Sequence, residues 1–315
     1  MDNVWPNKAL TTLASCLWSS LSHCARFSAR KGWLKGTQLN ARVISVGNIQ
    51  AGGAGKTPLV AQIANEAIQN GLKTCILIRG YKSRWESEGG LILPDSPAAD
   101  ASLCGDEAAL LHDLSPKAYI GVGADRLKQY DALHSQGVTV DLVILDDGFQ
   151  HWRIKKDVEV VALTSAKPSQ ILFRDFPQSV ANANLLVWTK GEVRPAMGNC
   201  PMAVVDFQLT EAGTQDPYWL VTGVASGISV KEMATRFGYR VARHLQYSDH
   251  AGYSQSSVHK ILEQASKNGA RVLLTGKDWV KWRTLGISPD DVTVIEPKLE
   301  VKEGKENWTR ILWGK

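Results

Sequence analysis

The sequence predicts an α/β fold of two units, a larger parallel sheet flanked by helices and a smaller α/β unit after it, both behind an amphipathic front helix. Three observations carry that expectation. Short β-branched runs alternate with segments of helical spacing, a glycine-rich loop falls between one such run and the next helix, and the alternation pauses around "EVRPAMGNCP" (192–201) before resuming. A chain of 315 residues suits two domains of ordinary size. Its 44% apolar and 21% charged residues argue against both disorder and a polytopic membrane protein.

The expected division is 1–35 for a basic amphipathic segment, 36–200 for the nucleotide-binding unit and 201–315 for the smaller unit. Between Asp2 and Glu66 there is no acidic residue, while Lys8, Arg26, Arg30, Lys31, Lys35, Arg42 and Lys56 are basic. A negative partner is expected there. Leu10, Leu13, Ala14, Leu17 and Leu21 draw one apolar stripe with Trp18 beside it and Ser/Thr opposite, too short and polar to span a bilayer. The stripe fits a helix packed on the protein's own core or one lying in a membrane surface. The run "RFSARKGWLK" with Trp33 favours an anionic lipid surface.

Strand, helix and strand then follow in "ARVISVGN", "TPLVAQIANEAIQN" and "LKTCILIRG", and again in "KAYIGVG", "DRLKQYDALHSQG" and "VDLVILDDG". Five scattered cysteines with no C-x-x-C pair suggest neither a disulfide framework nor a zinc site, and Asp2 lies where a cleavable signal needs a basic region. A cytoplasmic protein is expected, with no nucleic-acid partner and no indicated oligomer.

The loop is "SVGNIQAGGAGKTPLV" (45–60). The pattern G-x-x-x-x-G-K-[ST] puts glycine where this chain has Gln50, and Gly47 is expected to open the turn instead. Gly52, Gly53, Ala54 and Gly55 let backbone amides crowd around phosphate oxygens, Lys56 adds a charge at the β- and γ-phosphates, the Thr57 hydroxyl can ligate Mg²⁺, and Pro58 lies in the helix that follows. The larger unit is therefore expected to be P-loop NTPase-like. A partitioning-type switch ATPase would carry an extra lysine where this chain has Ala51.

"VDLVILDDG" runs an apolar strand into Asp146 and Asp147, the pattern that holds Mg²⁺ or its water shell beside a phosphate loop, although D-G is also an ordinary turn dipeptide. "CGDEAALL" puts Asp106 and Glu107 at a helix start, where carboxylates are stabilised by the dipole. Near a phosphate loop, Asp106 can instead accept a proton from an attacking hydroxyl.

Together with "LIRGY" (77–81), "GADRL" (123–127), "LDDGFQH" (145–151), "VTGVAS" (221–226), "YSDHAGYS" (247–254) and "LLTGKDWVK" (273–281), these stretches resemble the tetraacyldisaccharide 4'-kinase family over most of the chain and in its order. The resemblance implies transfer of the γ-phosphate of ATP, with Mg²⁺, to the 4'-hydroxyl of an acylated glucosamine disaccharide 1-phosphate lipid. It also implies two α/β domains closing over a cleft and a peripheral site on the cytoplasmic face of the bacterial inner membrane, against its anionic surface. The family's motifs make Asp106 the catalytic base with His250 as its partner, and Lys56 the cation on the transferred group. The chain departs from the family in two places. Thr275-Gly276-Lys277-Asp278 stands for T-E-K-D, and "QILFRDFP" for a run ending in L-R-E, so Asp175 is the expected metal contact there. A P-loop kinase of another small molecule and a membrane-associated switch ATPase are the alternatives.

Overall fold

The computed structural model describes residues 8–167, 170–193 and 199–315; the side chains of Lys8, Ala9, Leu10 and Arg30, and residues 194–198 of the expected boundary, lie outside what is described. A front helix α1 (Lys8–Arg30) precedes β1 (Arg42–Asn48), α2 (Lys56–Gln69) and β2 (Thr74–Ile78). Next come α3 (Trp85–Glu88), β3 (Gly90–Ile92), α4 (Ala101–Cys104), α5 (Asp106–Leu114), β4 (Tyr119–Val122), α6 (Arg126–Ser135) and β5 (Leu142–Asp146). Strands β6 (Val158–Thr164), β7 (Leu185–Lys190) and β8 (Met202–Leu209) follow. The chain continues through β9 (Pro217–Thr222), α7 (Gly227–Arg236), β10 (Arg240–Gln246), α8 (Gln255–Lys267), β11 (Arg271–Thr275), α9 (Gly276–Arg283) and β12 (Val292–Ile295), and returns as β13 (Pro297–Glu303) and α10 (Lys305–Trp313).

Nine strands make one sheet in the order β13-β8-β7-β6-β1-β5-β2-β4-β3, parallel from β8 to β4 with antiparallel edges. Its central strands are buried on both faces, which is why "TCILI" and "LVILD" are continuous apolar runs rather than alternating ones. A second, all-parallel sheet has the order β10-β9-β11-β12. The expected break at 200/201 falls between β7 and β8, parallel neighbours in the first sheet. The second sheet lies in sequence between β8 and β13, which pair with each other.

Apart from "QILFRDFP", which lies in the connection between β6 and β7, the motifs quoted above for their chemistry lie at the carboxyl end of a strand or the start of a helix, where parallel sheets bind their ligands. In the first sheet these ends belong to β1, β2, β4 and β5; in the second, "VTGVAS", "YSDHAGYS" and "LLTGKDWVK" close β9, β10 and β11.

Helix α1 settles which face packs inward, and it is the polar one. Thr11, Ser15, Ser19, Ser22 and Arg26 are buried, whereas Leu17 is 62% and Leu21 73% exposed, with Leu13 and Trp18 beside them. The small hydroxyls let the helix lie close on the run 172–175. Ser15 Oγ accepts from the Phe173 amide at 2.9 Å, and Ser22 Oγ donates to the Arg174 carbonyl at 2.7 Å. The core-packed alternative for the leucine stripe is thereby overturned. Arg26 also departs from expectation: it is 5% exposed, pairs with Asp175 and lies over the Phe149 and Trp152 rings.

The last helix is tied to the helix after the loop. Trp308 Nε1 and Trp313 Nε1 donate to one oxygen of Glu66 on α2, at 2.9 and 2.8 Å, and Gln62 donates to the other at 2.7 Å. Glu66→Ala strands both indoles, so the first unit is expected to lose about 1–3 kcal/mol, read as a lower urea midpoint by tryptophan fluorescence. An unchanged midpoint would mean that the indoles find other acceptors.

Candidate active site

Strand β1 ends at Asn48, and the chain reaches α2 through Ile49–Gly55. Gly55, at φ 68°, caps α2 with no side-chain hydrogen bond, which leaves the first-turn amides free to face an anion. Pro58 sits in that first turn, where a missing N–H costs no helical bond, and Thr57 is half-buried beside Lys56. The position of the absent glycine is filled by a staple. Gln50 is buried, and its Oε1 accepts from the amide (2.9 Å) and hydroxyl (3.1 Å) of Thr164 at the end of β6. Its Nε2 donates to the carbonyls of Thr164 and Ala166 at 3.1 and 3.0 Å. Gly47 does not open the turn as expected. It lies within β1, where a Cβ would come 2.5 Å from Phe149 Cβ, so it lets the strand touch the "DDGF" turn.

That contact brings the loop's cation to the acidic turn. Lys56 Nζ lies 3.5 Å from Asp147 Oδ1 and donates to Asn48 Oδ1 at 3.3 Å. Asp147, at φ 50°, receives two hydrogen bonds from Arg174, at 2.6 and 2.8 Å. Burial would raise its pKa, but Lys56 and Arg174 outweigh it and hold the carboxyl well below the usual range. Asp146 is the opposite case. Burial, aided by Glu107 and Asp147 against Lys56 and Arg126, pushes it up to about 7, and its Oδ1 is buried without a hydrogen-bond partner. An orphaned, dehydrated carboxylate oxygen facing other acids is a fitting ligand for a hard cation. Among the described residues no three His, Cys, Asp or Glu side chains converge on one point. A Mg²⁺ held by Thr57 and Asp146 or Asp147 would therefore complete its shell with phosphate and water, its usual habit.

Asp175 is not part of this group. The chain bends at Arg174 and Asp175, and their side chains part: Arg174 points to Asn48 and Asp147 while Asp175 pairs with Arg26 and accepts from the Phe176 amide. The expected metal contact from Asp175 is thus corrected, and the neighbouring arginine, which the sequence reading gave no role, reaches the loop.

The second cluster joins the two sheets. Asp106, first residue of α5, is nearly buried, and its Oδ2 lies 3.0 Å from His250 Nδ1 in the turn after β10. Lys277 and Lys281, one turn apart on α9, come within 3.9 and 3.8 Å of the same oxygen. Burial would raise the Asp106 pKa; the hydrogen bond from His250 and the charges of Lys277, His250 and Lys281 overcome it and lower it. The same bond raises that of His250, against burial and Lys277. Lys277 also approaches Glu107 at 3.5 Å and Asp249 at 3.1 Å. Glu107 acts on Asp146, and a Cβ at Gly52 would stand 4.0 Å from Ala225, so both clusters and the loop border one cleft.

Sequence reasoning singled out Asp106 and His250 but passed over Lys277 and Lys281, whose i, i+4 spacing in "GKDWVK" was the available signal. Asp278 of that motif is structural. It accepts from the Gly223 amide, Tyr253 hydroxyl and Thr275 hydroxyl, tying the ends of β9 and β11 to the segment before α8. At Gly276 the glutamate of the family pattern would require two side-chain ends to shift, since a Cβ would lie 2.9 Å from Leu110 Cδ1 and 3.2 Å from Glu296 Oε1.

A family model described as tetraacyldisaccharide-1-P 4'-kinase matches residues 7–313. A tetraacyldisaccharide 4'-kinase of Cytophaga hutchinsonii is 27% identical over 303 residues, covering 87% of this chain and 85% of that protein. One of Chlamydia muridarum is 30% identical over 272 residues, covering 78% and 73%. The crystal structure of LpxK from Aquifex aeolicus in complex with ATP has a TM-score of 0.76 at 22% identity, over 97% of this chain and 99% of that one, which shows a shared fold.

Gln50→Gly restores the standard loop pattern while removing all four staple bonds. We expect it to destabilise the protein by about 1–3 kcal/mol and to weaken nucleotide binding, measured by denaturant unfolding and by titration. A variant as stable and as tight as the parent would remove the staple from this account.

Proposed function

The chain belongs to the tetraacyldisaccharide-1-P 4'-kinase family, and from that premise we propose how its cleft carries out the transfer. The enzyme is a kinase of lipid A biosynthesis that moves the γ-phosphate of ATP to the 4'-hydroxyl of a tetraacylated glucosamine disaccharide 1-phosphate. The observation that carries the proposed mechanism is the Asp106–His250 pair, 3.0 Å apart, in the cleft that also holds Lys56. The larger sheet binds the nucleotide, and the unit built on the second sheet closes the cleft.

The amides of Gly52 to Thr57 cradle the triphosphate, and Lys56 meets its β- and γ-phosphates. When bound through Thr57 and the Asp146–Asp147 turn, Mg²⁺ supplies charge neutralisation on those phosphates. Asp106 accepts the proton of the sugar hydroxyl as its oxygen attacks the γ-phosphorus, while Lys277, Lys281 and the His250 imidazolium keep the carboxylate ionised until then. Once Asp106 is neutral, His250 loses the partner that raised its proton affinity. The half-exposed imidazole then returns its proton to solvent and can take the one on Asp106.

We place the acceptor's membrane against α1. Among the described residues no helix is long and apolar enough to cross a membrane. The outward row Leu13, Leu17, Trp18, Leu21 and Phe27, with Trp33 and Leu34 beyond it, is an apolar patch of the kind that marks a membrane contact. Exposed Lys31 and Lys35 stand at its end to meet anionic headgroups on the cytoplasmic face.

The test of the chemistry is label transfer from γ-labelled ATP to a tetraacyl disaccharide 1-phosphate. Asp106→Ala should lower kcat by about 10²–10⁴-fold with little change in the KM for ATP. His250→Ala removes the foremost group that lowers the Asp106 pKa and leaves burial opposed by Lys277 and Lys281 alone, so the acid limb of the pH–rate profile moves to higher pH. Label released only as free phosphate, or an acid limb unmoved by His250→Ala, would sink the assignment.

For the membrane face, Leu17→Ser with Leu21→Ser should weaken binding to phosphatidylglycerol vesicles at least about tenfold, because both side chains then have little to bury. Stability should not change. Full vesicle binding by that variant would rule out α1 as the docking face.

A further inference from the structure

The groups that face the transferred phosphoryl lie on one side of β1. Asp146 and Asp147 end β5, and α5 brings Asp106 and Glu107 beside them. On the other side of β1 the sheet continues with β6 and β7. A nucleotide whose γ-phosphate sits at the β5 side has its nucleoside over the carboxyl ends of β6 and β7, since ligands of parallel sheets lie along that edge.

Lys190 is the last residue of β7 and pairs in register with Thr164, the last of β6, which is bonded to Gln50 of the loop. Gln50, Thr164 and Lys190 thus form one row across neighbouring strand ends. The turn that follows is rigid. Gly191 has φ 77° and lies against Ser165 with no space for a Cβ, the Ser165 amide donates to the Lys190 carbonyl at 3.1 Å, and Trp188 Nε1 donates to the Gly191 carbonyl at 3.2 Å.

Lys190 is half-buried, its ammonium has no hydrogen bond or ion pair among the described residues, and burial alone lowers its pKa. The other shielded lysines are all paired: Lys56 with Asp147, Lys156 with Glu159, Lys277 with Asp106, Glu107 and Asp249, and Lys281 with Asp106 and Asp278. A partly dehydrated cation without counter-charge is unfavourable in the free protein, so its partner is to be sought in a ligand.

We propose that Lys190 is the nucleoside-end contact of the ATP site, its methylene stem covering a face of the purine ring and its ammonium donating to an acceptor on the base or ribose. This rests on the kinase reading above. It commits to the nucleoside rather than to the phosphates, which already have Lys56 and the loop amides.

Equilibrium titrations of ATP and of inorganic tripolyphosphate, each with Mg²⁺, separate the two. Lys190→Met should weaken ATP about tenfold, the size of one hydrogen bond to a charged group, and leave tripolyphosphate unchanged. Lys56→Ala should weaken both. Equal losses on both ligands for Lys190→Met, or no loss on either, would overturn the proposal. If Lys56→Ala left both affinities intact, the phosphate-loop reading would fall and this proposal with it. Without ligand, Lys190→Met should melt at or above the parent temperature, having lost an unpaired charge; a lower melting temperature with parental ATP affinity would mark a structural lysine and also overturn it.

Discussion

A carboxylate withdrawn from water needs cations around it, and for Asp106 they all come from the other sheet. His250 follows β10, and Lys277 and Lys281 ride on α9, which packs against α5. The second unit thus brings both the cover that withdraws this acid from water and the cations that offset its desolvation. Docking of the two sheets and the lowered proton affinity of Asp106 are therefore coupled, and the cluster around Asp106 is complete only where the units meet. Arg283 adds a bond of the same kind, 2.6 Å from Asp113 at the far end of α5.

The loop shows how a fold keeps a geometry after changing a residue that usually provides it. Glycine at the first position of a phosphate loop asks little of its neighbours, because the backbone alone makes the turn. Gln50 asks for a strand end with two free carbonyls, a free amide and a hydroxyl in reach, and the end of β6 supplies them. Both polar atoms of its carboxamide are then fully used, which is what a buried side-chain amide requires. The consequence is stiffness: the loop is fixed to β6 by a side chain and to the acidic turn by the close approach of Gly47 and Phe149.

Much of this was legible in the sequence because it depends on local pattern. The β-branched runs, the loop between strand and helix, and the acidic strand end each announce themselves within a dozen residues, and Asp106 and His250 followed from the family's motifs. What was not legible depends on a face or a register. The stripe on α1 was plain, but which side is inside depends on whether Ser15 and Ser22 find backbone groups to bond at 173 and 174, more than a hundred residues away. Asp175 carried the right chemistry one step out of phase, and at the bend it shares with Arg174 one step sends the side chain to α1 instead of the loop. The pause near 200 falls between parallel neighbours β7 and β8 of one sheet, which composition does not distinguish from a linker.

The same run, 172–175, connects the outermost helix to the innermost site. On one face, Phe173 and Asp175 are held by Ser15 and Arg26 of α1; on the other, Arg174 holds Asp147 and Asn48. Ser22 binds the carbonyl of Arg174 itself, so a hydroxyl on the inner side of α1 lies one residue from the guanidinium that orders the loop's acid. This explains the unusual helix, with serines inward and leucines outward. Leucines facing inward would have packed against the run without satisfying its amide and carbonyl, leaving Arg174 on a looser backbone. Serines facing inward fix that backbone and leave the leucines outward, so one helix steadies the surroundings of the loop on one side and presents, on the other, the apolar row proposed above to meet the membrane.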